Sequence, residues 1–195
     1  MMNRKEKANQ TKKLIFEVAV TLFNRFGYDN VTISNICEEA GVAKGTFYLY
    51  YDSKETIIKE SYYQDLDSYL NAVFQETIEN SKADYASKIT TFLVAELHFA
   101  TDMGIEITTL AYSFNLREAL SKKNSHFQKR TFSALLSKLI EDAKTGDVDK
   151  PFIFTALESL VRGLMATWCF SEGNFDLITG GRSAIQDLVQ LYIRN

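Results

Sequence analysis

A mainly helical protein is what this sequence predicts, and three observations lead to that fold class. Only one Pro and nine Gly occur in 195 residues, so few positions force a turn. Apolar residues make up 46% of the chain, which is enough for a buried core. These residues recur every three or four positions over long stretches, the spacing at which side chains share one face of a helix. We therefore expect an all-α fold.

The first three helices can be placed from their boundaries. A helix over about 10–26 should end at Gly27, and a second should begin after Thr32, whose hydroxyl can cap a free backbone amide. The second should end at Gly41, because Gly enters the left-handed conformation at low cost, and a third should start at Val42. Two short helices joined by a tight turn containing Gly form a helix-turn-helix, whose second helix enters the DNA major groove.

The helix after the turn divides its residues between core and surface. Phe47 and Tyr51 lie four positions apart, so both can face the core. Seven residues in and around this helix are candidate DNA contacts. Lys44, Thr46 and Tyr48 can reach base edges, and Thr32, Tyr50 and Lys54 can contact phosphates. Gly45 would let the backbone come close to the DNA. Lys54 lies in the first turn of the next helix, where a cation opposes the helix dipole. A DNA phosphate bound by Lys54 and the free amides would remove this conflict, so a phosphate is expected there.

The helices that follow are longer and amphipathic. The first should be capped by Asp52 or Ser53 and run without interruption, since it contains neither Gly nor Pro. A later helix should be capped by Asp149, with Pro151 in its first turn. A polar loop is expected over 115–124. The predicted helices cover 54–80, 84–100, 105–114, 125–143, 151–171 and 175–194.

The segment 32–55 resembles the DNA-binding domain of the TetR/AcrR family of bacterial transcriptional regulators. Tyr50 stands where many relatives carry His, and Tyr51 where most carry Phe. The resemblance covers about 10–60 at the level of motif. It implies a three-helix DNA-binding domain over 1–53 and a helical effector-binding and dimerisation domain over 54–195, linked by the long helix. The family pattern is met by Thr32, Ile36, Ala40, Gly41, Val42, Gly45, Tyr48, Lys54 and Glu55.

The last two predicted helices are the most apolar, and they indicate a homodimer. Each can bury one face inward and pair another face with a second copy. A two-fold protein also suits a palindromic operator on double-stranded DNA, whose half-sites are related by the same symmetry. Burial within one subunit is the alternative for each residue. The candidate interface residues are Leu157, Leu160, Val161, Leu164, Ile185, Leu188, Val189 and Tyr192.

By the same resemblance, a small apolar or amphipathic effector would bind among the helices from 54 to 170. Large apolar side chains would line its pocket, and Glu96 would meet a cationic group unless a protein base pairs with it or it is exposed. Plain core packing is the alternative for each apolar candidate. The candidates are Glu96, Phe99, Met103, Tyr112, Phe114, Phe132 and Trp168.

Charge and motif content narrow the function classes. Residues 1–59 hold nine Lys/Arg and seven Asp/Glu, whereas the remainder holds 13 and 18, as expected for a DNA-binding head on an acidic body. No phosphate-binding Gly loop, HExxH, GxSxG or CxxC motif occurs, so we expect neither an enzyme nor a cofactor. His98 and His126 are isolated, and Cys37 and Cys169 lack metal-ligand spacing, so no metal is expected.

Localisation follows from two further features. No apolar run approaches the roughly 18–20 residues of a membrane helix, and no apolar signal region follows the basic start. We therefore expect a cytoplasmic protein with no membrane partner. The leading hypothesis is a ligand-responsive homodimeric repressor. The alternatives are a helical small-molecule-binding or catalytic protein whose head has lost its DNA role, and a regulator that responds to a protein partner or to nothing.

Overall fold

The computed structural model describes residues 4–120 and 131–194, and within them the predicted all-α fold is confirmed. Nine α-helices account for most of this part of the chain, and one pair of two-residue strands completes it. The helices are α1 Arg4–Phe26, α2 Ile33–Glu39, α3 Lys44–Tyr48, α4 Lys54–Val73, α5 Tyr85–Met103, α6 Ile105–Leu120, α7 Thr131–Asp142, α8 Lys150–Phe170 and α9 Leu177–Tyr192. The strands are β1 Lys144–Thr145 and β2 Ile193–Arg194, which pair antiparallel.

The chain divides into two compact units. The first comprises residues up to Gln64 together with Glu106–Arg117, and the second comprises Asp65–Ile105 and the residues from Glu118 onward. The boundaries between these two packing units therefore lie inside α4 and α6. The functional boundary predicted from the sequence lies between residues 53 and 54. The first eleven residues of α4 pack with the N-terminal helices.

The first unit is built on a compact aromatic and aliphatic core. Helix α1 packs against α2, and α2 packs against α3. Leu14 and Phe26 on α1 are 42% and 50% exposed, so this helix buries only part of its large apolar side chains. The largest side chains in this core with almost no exposed surface are Phe16, Phe23, Ile36, Phe47, Tyr51, Ile57, Ile58 and Tyr62.

The second unit surrounds α5. This helix packs against α7, α8 and α9, and the six consecutive positions from Phe92 to Leu97 are buried, as are Phe99 and Ala100. Asp84 caps α5 by accepting a hydrogen bond from the Ser87 amide at 2.8 Å, and Gly104 ends it with φ of +88°. A helix buried on most of its surface supplies the centre on which the others pack.

Two of the long helices, α4 and α6, have boundaries that differ from the predictions. Helix α4 ends at Val73 and continues as a π-helix over Phe74–Glu79, which buries Phe74 and Ile78. Helix α6 continues to Leu120 instead of ending at Phe114, because 115–120 contains good helix formers and no Gly or Pro. The strand pair was not predicted, since two-residue strands carry no periodic signal. The predicted start of the 125–143 helix lies outside the described residues, and α7 is described from Thr131.

The composition of α8 bears on the expectation that the protein has no membrane partner, which stays a prediction. Among the described residues, only α8 combines the length and mean hydropathy (1.2) of a membrane span, and a third of that stretch is buried. The search for unbroken apolar runs missed this helix, because Glu158 and Arg162 interrupt its apolar residues. Those two side chains form an ion pair at 2.7 Å. A core helix of a soluble protein passes the same test, so the composition alone is weak evidence for a span.

Candidate nucleic-acid interface

The first helix of the motif starts at the predicted cap. The Thr32 hydroxyl accepts a hydrogen bond from the Asn35 amide at 3.2 Å, and the Asn35 side-chain oxygen accepts from the Thr32 amide at 2.9 Å. This reciprocal capping box satisfies two amides that the helix leaves free. The Thr32 hydroxyl also donates to the Asn35 side-chain oxygen at 2.6 Å. Thr32 is exposed, so a phosphate contact would have to compete with that internal bond.

The turn between the two motif helices has the predicted geometry. Gly41 adopts φ of +64°, the left-handed conformation that favours Gly. The Val42 amide returns to the Cys37 carbonyl at 3.0 Å, which closes the end of α2. The second helix begins at Lys44 rather than Val42, after Ala43 in an extended conformation. Two short helices thus meet across a four-residue turn, as a helix-turn-helix requires.

Helix α3 separates core from surface as the sequence predicted. Phe47 is fully buried and Tyr51 is 1% exposed. Lys44 and Gly45 are exposed, and Tyr48 is 54% exposed with its ring edge against Phe47 at 5.4 Å. A Cβ atom added at Gly45 would meet nothing within 4 Å, so the subunit leaves bare backbone at this point of the surface.

The other residues in and directly after α3 differ in how much of their side chain is exposed. Thr46 and Tyr50 are half-buried, so part of each side chain is available to a partner. Leu49, directly after α3, is 79% exposed and was not among the predicted contacts. An exposed apolar residue belongs to no recognised DNA-binding motif. The position of Leu49 four residues after Gly45 nevertheless places it on the exposed face of the helix.

The hydroxyl of Tyr51 explains why this buried position holds Tyr. It donates to the Lys12 carbonyl at 3.2 Å and lies 2.6 Å from the Ser61 hydroxyl. Ser61 is 5% exposed and lies on α4. The Lys12 ammonium pairs with Glu60 at 2.9 Å and lies 5.3 Å from the Tyr51 ring centroid. Helices α1 and α4 are therefore joined through Tyr51, which lies shortly after the end of α3.

Lys54 has a structural role that the sequence analysis did not foresee. Its ammonium donates to the Tyr28 carbonyl at 2.6 Å and to the Val31 carbonyl at 3.0 Å, and it lies 4.2 Å from the Tyr28 ring centroid. The conflict between a cation and the first turn of α4 is resolved by these carbonyl oxygens, without a phosphate. Two of the three Lys54 donors are used internally, and a phosphate contact through the third stays a prediction.

A further hydrogen bond fixes the loop between α1 and α2. Glu106, in the first turn of α6, accepts a hydrogen bond from the Tyr28 amide at 2.7 Å. Burial, followed by the negative charges of Glu55 and Asp29, raises the pKa of Tyr28 to about 12. Tyr28 therefore stays neutral at physiological pH, and the loop that leads into the helix-turn-helix is fixed by packing and hydrogen bonds.

The two cysteines occupy packing positions, as expected. Both are free thiols; Cys37 is buried and Cys169 is half-buried. Burial raises the pKa of the Cys37 thiol, against the opposing effect of Lys44. Within the described residues, no group of three His, Cys, Asp or Glu side chains is placed to hold a metal ion. His98 is half-buried, and His126 lies outside the described residues.

The predicted effector residues are divided between the two units. Tyr112 and Phe114 belong to the first unit, and the other five belong to the second. Glu96, Phe99, Phe132 and Trp168 are buried, and Met103 and Tyr112 are half-buried. Aromatic contacts tie two of them to the core: Phe132 stacks on Phe92 at 5.5 Å, and Phe99 lies 5.7 Å from Tyr69.

Two surface cavities occur elsewhere, and neither includes a predicted effector residue. One, of about 480 Å³, lies between α5 and α9 and has a mostly polar lining that includes Ser87, Thr90 and Arg182. The other, of about 550 Å³, lies between α1 and α2, with Phe26 and Val31 at its apolar side and Glu38 and Glu39 at its polar side. The seven predicted lining residues therefore remain a hypothesis.

The structure separates the predicted dimer residues into two groups. Leu157, Val161, Ile185 and Val189 have no exposed surface within one subunit. They are core residues that cannot touch a second copy, and the prediction is corrected for them. Periodicity finds an apolar face but does not say which part of a wide face turns inward.

The other dimer candidates keep exposed surface. Leu160, Leu164, Leu188 and Tyr192 are half-buried. The same two helices expose three large apolar side chains that the prediction omitted. They are Phe152 at 55%, Phe170 at 88% and Leu191 at 66%.

Comparison with known proteins agrees with this geometry. The family model described as "Bacterial regulatory proteins, tetR family" matches residues 15–60, which include both motif helices. The fatty acid metabolism regulator protein of Bacillus subtilis (strain 168) is 25% identical over 182 residues, 90% of this chain and 92% of that protein. The HTH-type transcriptional regulator UidR of Escherichia coli (strain K12) is 28% identical over 160 residues, 82% of this chain and 79% of that one.

A solved structure has the same fold. The fatty acid degradation regulator FadR from Bacillus halodurans superposes with a TM-score of 0.70 at 20% identity, covering 92% of this chain and 95% of that one. The relatives are transcription regulators rather than enzymes. Together with the exposed recognition helix, these similarities identify a DNA-binding regulator with an N-terminal helix-turn-helix.

Proposed function

Because this chain belongs to the TetR family of bacterial transcription regulators, we propose that it is a homodimeric repressor whose two heads occupy the half-sites of a palindromic operator. The observation that carries the proposal is the surface of α3. Phe47 and Tyr51 fix one side of this helix in the core, while Lys44, Gly45 and Tyr48 remain open to a partner. A short helix with its core side anchored and its other side free is the element that such motifs insert into the major groove.

The contacts proposed for the operator follow from exposure and chemistry. Lys44, Thr46 and Tyr48 would face base edges, with Gly45 allowing the backbone to approach. Thr32 and Tyr50 would contact phosphates through their hydroxyls. Lys54 would act indirectly, by holding the Tyr28 and Val31 carbonyls and hence the position of α2.

The proposed dimer uses the outer surfaces of α8 and α9. The half-buried residues Leu160, Leu164, Leu188 and Tyr192 would meet their counterparts, and Phe152 stacks edge-on against Tyr192 at 6.0 Å beside them. Covering apolar surface of this extent supports association, since each buried methylene stabilises it by roughly 0.8 kcal/mol. An isologous contact of this kind generates the two-fold axis that a palindrome requires.

The proposed effector is a small amphipathic molecule, and a long acyl chain is the first candidate. The support is the name of the Bacillus subtilis relative, a fatty acid metabolism regulator, together with the apolar character of Phe99, Phe132 and Trp168 in the second unit. An effector shifts the DNA-binding equilibrium only by its differential affinity for the two states. Functionally, residues 1–53 would read DNA and 54–195 would bind effector and dimerise, in the cytoplasm, where bacterial DNA lies.

The test is a gel shift with the full chain and DNA from upstream of its own gene. We expect a retarded band at nanomolar protein, two chains per duplex, and release by palmitate but not by acetate. Lys44→Ala and Tyr48→Ala should weaken the band, whereas Lys138→Ala, an exposed cation of the second unit, should not. A band that forms on any palindrome, or that both recognition-helix variants leave unchanged, would contradict the proposal.

Salt dependence separates this function from the alternative of a helical small-molecule-binding protein. Phosphate contacts make DNA affinity fall steeply with added salt, because bound counterions are released. An apolar ligand held in the second unit would be nearly indifferent to salt. A protein that binds palmitate but shows no salt-sensitive DNA binding would fit the alternative, and one that binds operator without any response to palmitate would fit a regulator with a different signal or none.

A further inference from the structure

The most exposed large hydrophobic side chain between residues 32 and 55 is Leu49. It is 79% exposed, and its backbone continues the helical conformation of α3 with φ of −72° and ψ of −21°. At about 100° per residue, Gly45, Tyr48 and Leu49 share one face. That face lies opposite Phe47 and Tyr51, which hold the helix in the core.

This face contains no charged side chain. Tyr48 is 54% exposed and is held edge-on against the buried Phe47, so its ring has a fixed neighbour. Gly45 lies three and four positions before Tyr48 and Leu49, and a Cβ atom there would meet nothing within 4 Å. The centre of the exposed face is therefore bare backbone next to two bulky, largely apolar groups.

The chemistry of this face selects what it can read in DNA. Leucine neither donates nor accepts a hydrogen bond, so it cannot recognise the polar edge of a base. The apolar group that the major groove presents is the C5-methyl of thymine, and contacts to it distinguish thymine from the other bases. The space left by Gly45 lets such a methyl approach the helix backbone.

We propose that Leu49, with the space beside Gly45, reads one thymine in each operator half-site through its C5-methyl group. This inference rests on the proposed function, because it assumes that α3 enters the major groove. It adds a specificity residue that hydrogen-bonding capacity alone does not reveal. The polar candidates Lys44 and Thr46 would then fix neighbouring bases, and Leu49 would select thymine at its own position.

The test replaces each thymine of the operator in turn by deoxyuridine, which keeps base pairing and removes only the methyl. Affinity of the full chain for a fluorescein-labelled duplex, centred on the palindrome found by gel shift, is measured by anisotropy. One position per half-site should lose roughly fourfold in affinity when its methyl is removed. In Leu49→Ala the thymine duplex should bind more weakly, and that one position should no longer distinguish thymine from deoxyuridine.

Leu116→Ala is the matched control, since Leu116 is 68% exposed and lies on α6 of the same unit. It should keep the full thymine preference. Thermal unfolding of Leu49→Ala checks that the fold is retained. Operator binding that is indifferent to every deoxyuridine, or a thymine preference that survives unchanged in Leu49→Ala, overturns the assignment of Leu49 while leaving the proposed function intact. Absence of any operator binding overturns both.

Discussion

The hydroxyl of Tyr51 lies 2.6 Å from the hydroxyl of Ser61, and both side chains are almost fully buried. The Tyr51 hydroxyl can also donate to the Lys12 carbonyl at 3.2 Å, and either hydroxyl of the Tyr51–Ser61 pair can be the donor between them. This buried pair links the end of the recognition helix to α4 and α1. It also accounts for Tyr at a position where the resemblance leads one to expect Phe.

Tyr51→Phe should therefore destabilise the protein without changing its fold. The substitution leaves the buried Ser61 hydroxyl without its hydrogen-bond partner on Tyr51, which costs about 1–2 kcal/mol. Urea unfolding measures the change. Adding Ser61→Ala should restore part of the loss, because both polar partners are then absent, and fully additive effects of the two substitutions would rule out the proposed pairing.

Gly45→Ala should raise stability and lower DNA affinity together. Ala is favoured over Gly in a helix by about 0.5–1 kcal/mol, and the added methyl has open space within the subunit. Against DNA, the same methyl occupies space that the bases need, so affinity should fall by about tenfold or more.

Gly180→Ala provides the comparison for Gly45→Ala. It is also an exposed helical Gly with nothing within 4 Å of an added Cβ, but it lies in α9. It should gain similar stability with unchanged DNA affinity. Equal DNA binding by both variants would mean that the backbone at Gly45 does not approach DNA.

Substitutions of Lys44 and Lys54 should affect stability and DNA binding differently, although the two residues lie close together in the sequence. Lys54→Met should lower stability by about 1–2 kcal/mol, since two carbonyl oxygens lose a charged donor that is partly exposed to solvent. Its logarithmic salt slope of DNA binding should stay unchanged at temperatures well below unfolding. Lys44→Ala should leave stability nearly unchanged and weaken operator binding by about 1–3 kcal/mol, with relaxed specificity at the base that Lys44 contacts. A reduced slope in Lys54→Met would show that this ammonium does reach phosphate.

Tyr28 should make stability depend on pH in the alkaline range. Its pKa is raised from 10.0 to about 12 in the folded protein, first by burial and then by Glu55 and Asp29. Between these values the unfolded chain loses the phenolic proton and the folded chain retains it, so stability falls as pH rises from 10 towards 12. Urea midpoints should fall less steeply over this interval in Tyr28→Phe, and parallel declines would contradict the assignment.

Local signals in the sequence were sufficient for the helix boundaries that depend on caps and on Gly. Thr32 begins a helix, and Gly27 and Gly41 each end one, as expected, because capping and left-handed backbone are properties of single residues. Ser53, one of two expected caps of α4, accepts from the Thr56 amide at 3.2 Å. Asp149 precedes α8 as expected but makes no side-chain capping bond.

Tertiary relationships could not be predicted in the same way. The binding of Lys54 to the Tyr28 and Val31 carbonyls joins residues more than twenty positions apart, so no local pattern signals it. The burial of Leu157 and Val161 beside the half-buried Leu160 and Leu164 depends on how α5 and α9 pack against α8. The exposure of Leu49 could not be predicted either, because nothing in the local sequence shows that this apolar side chain faces solvent.

Hydroxyl-radical footprinting of the full chain on its upstream DNA tests the central claim most directly, namely that 32–55 seats a recognition helix in the major groove from each of two subunits. We expect two protected patches on one face of the duplex, separated by about one helical turn or a multiple of it, and lost together in Tyr48→Ala. Absence of protection, a single patch, or a pattern that Tyr48→Ala leaves unchanged would contradict the account.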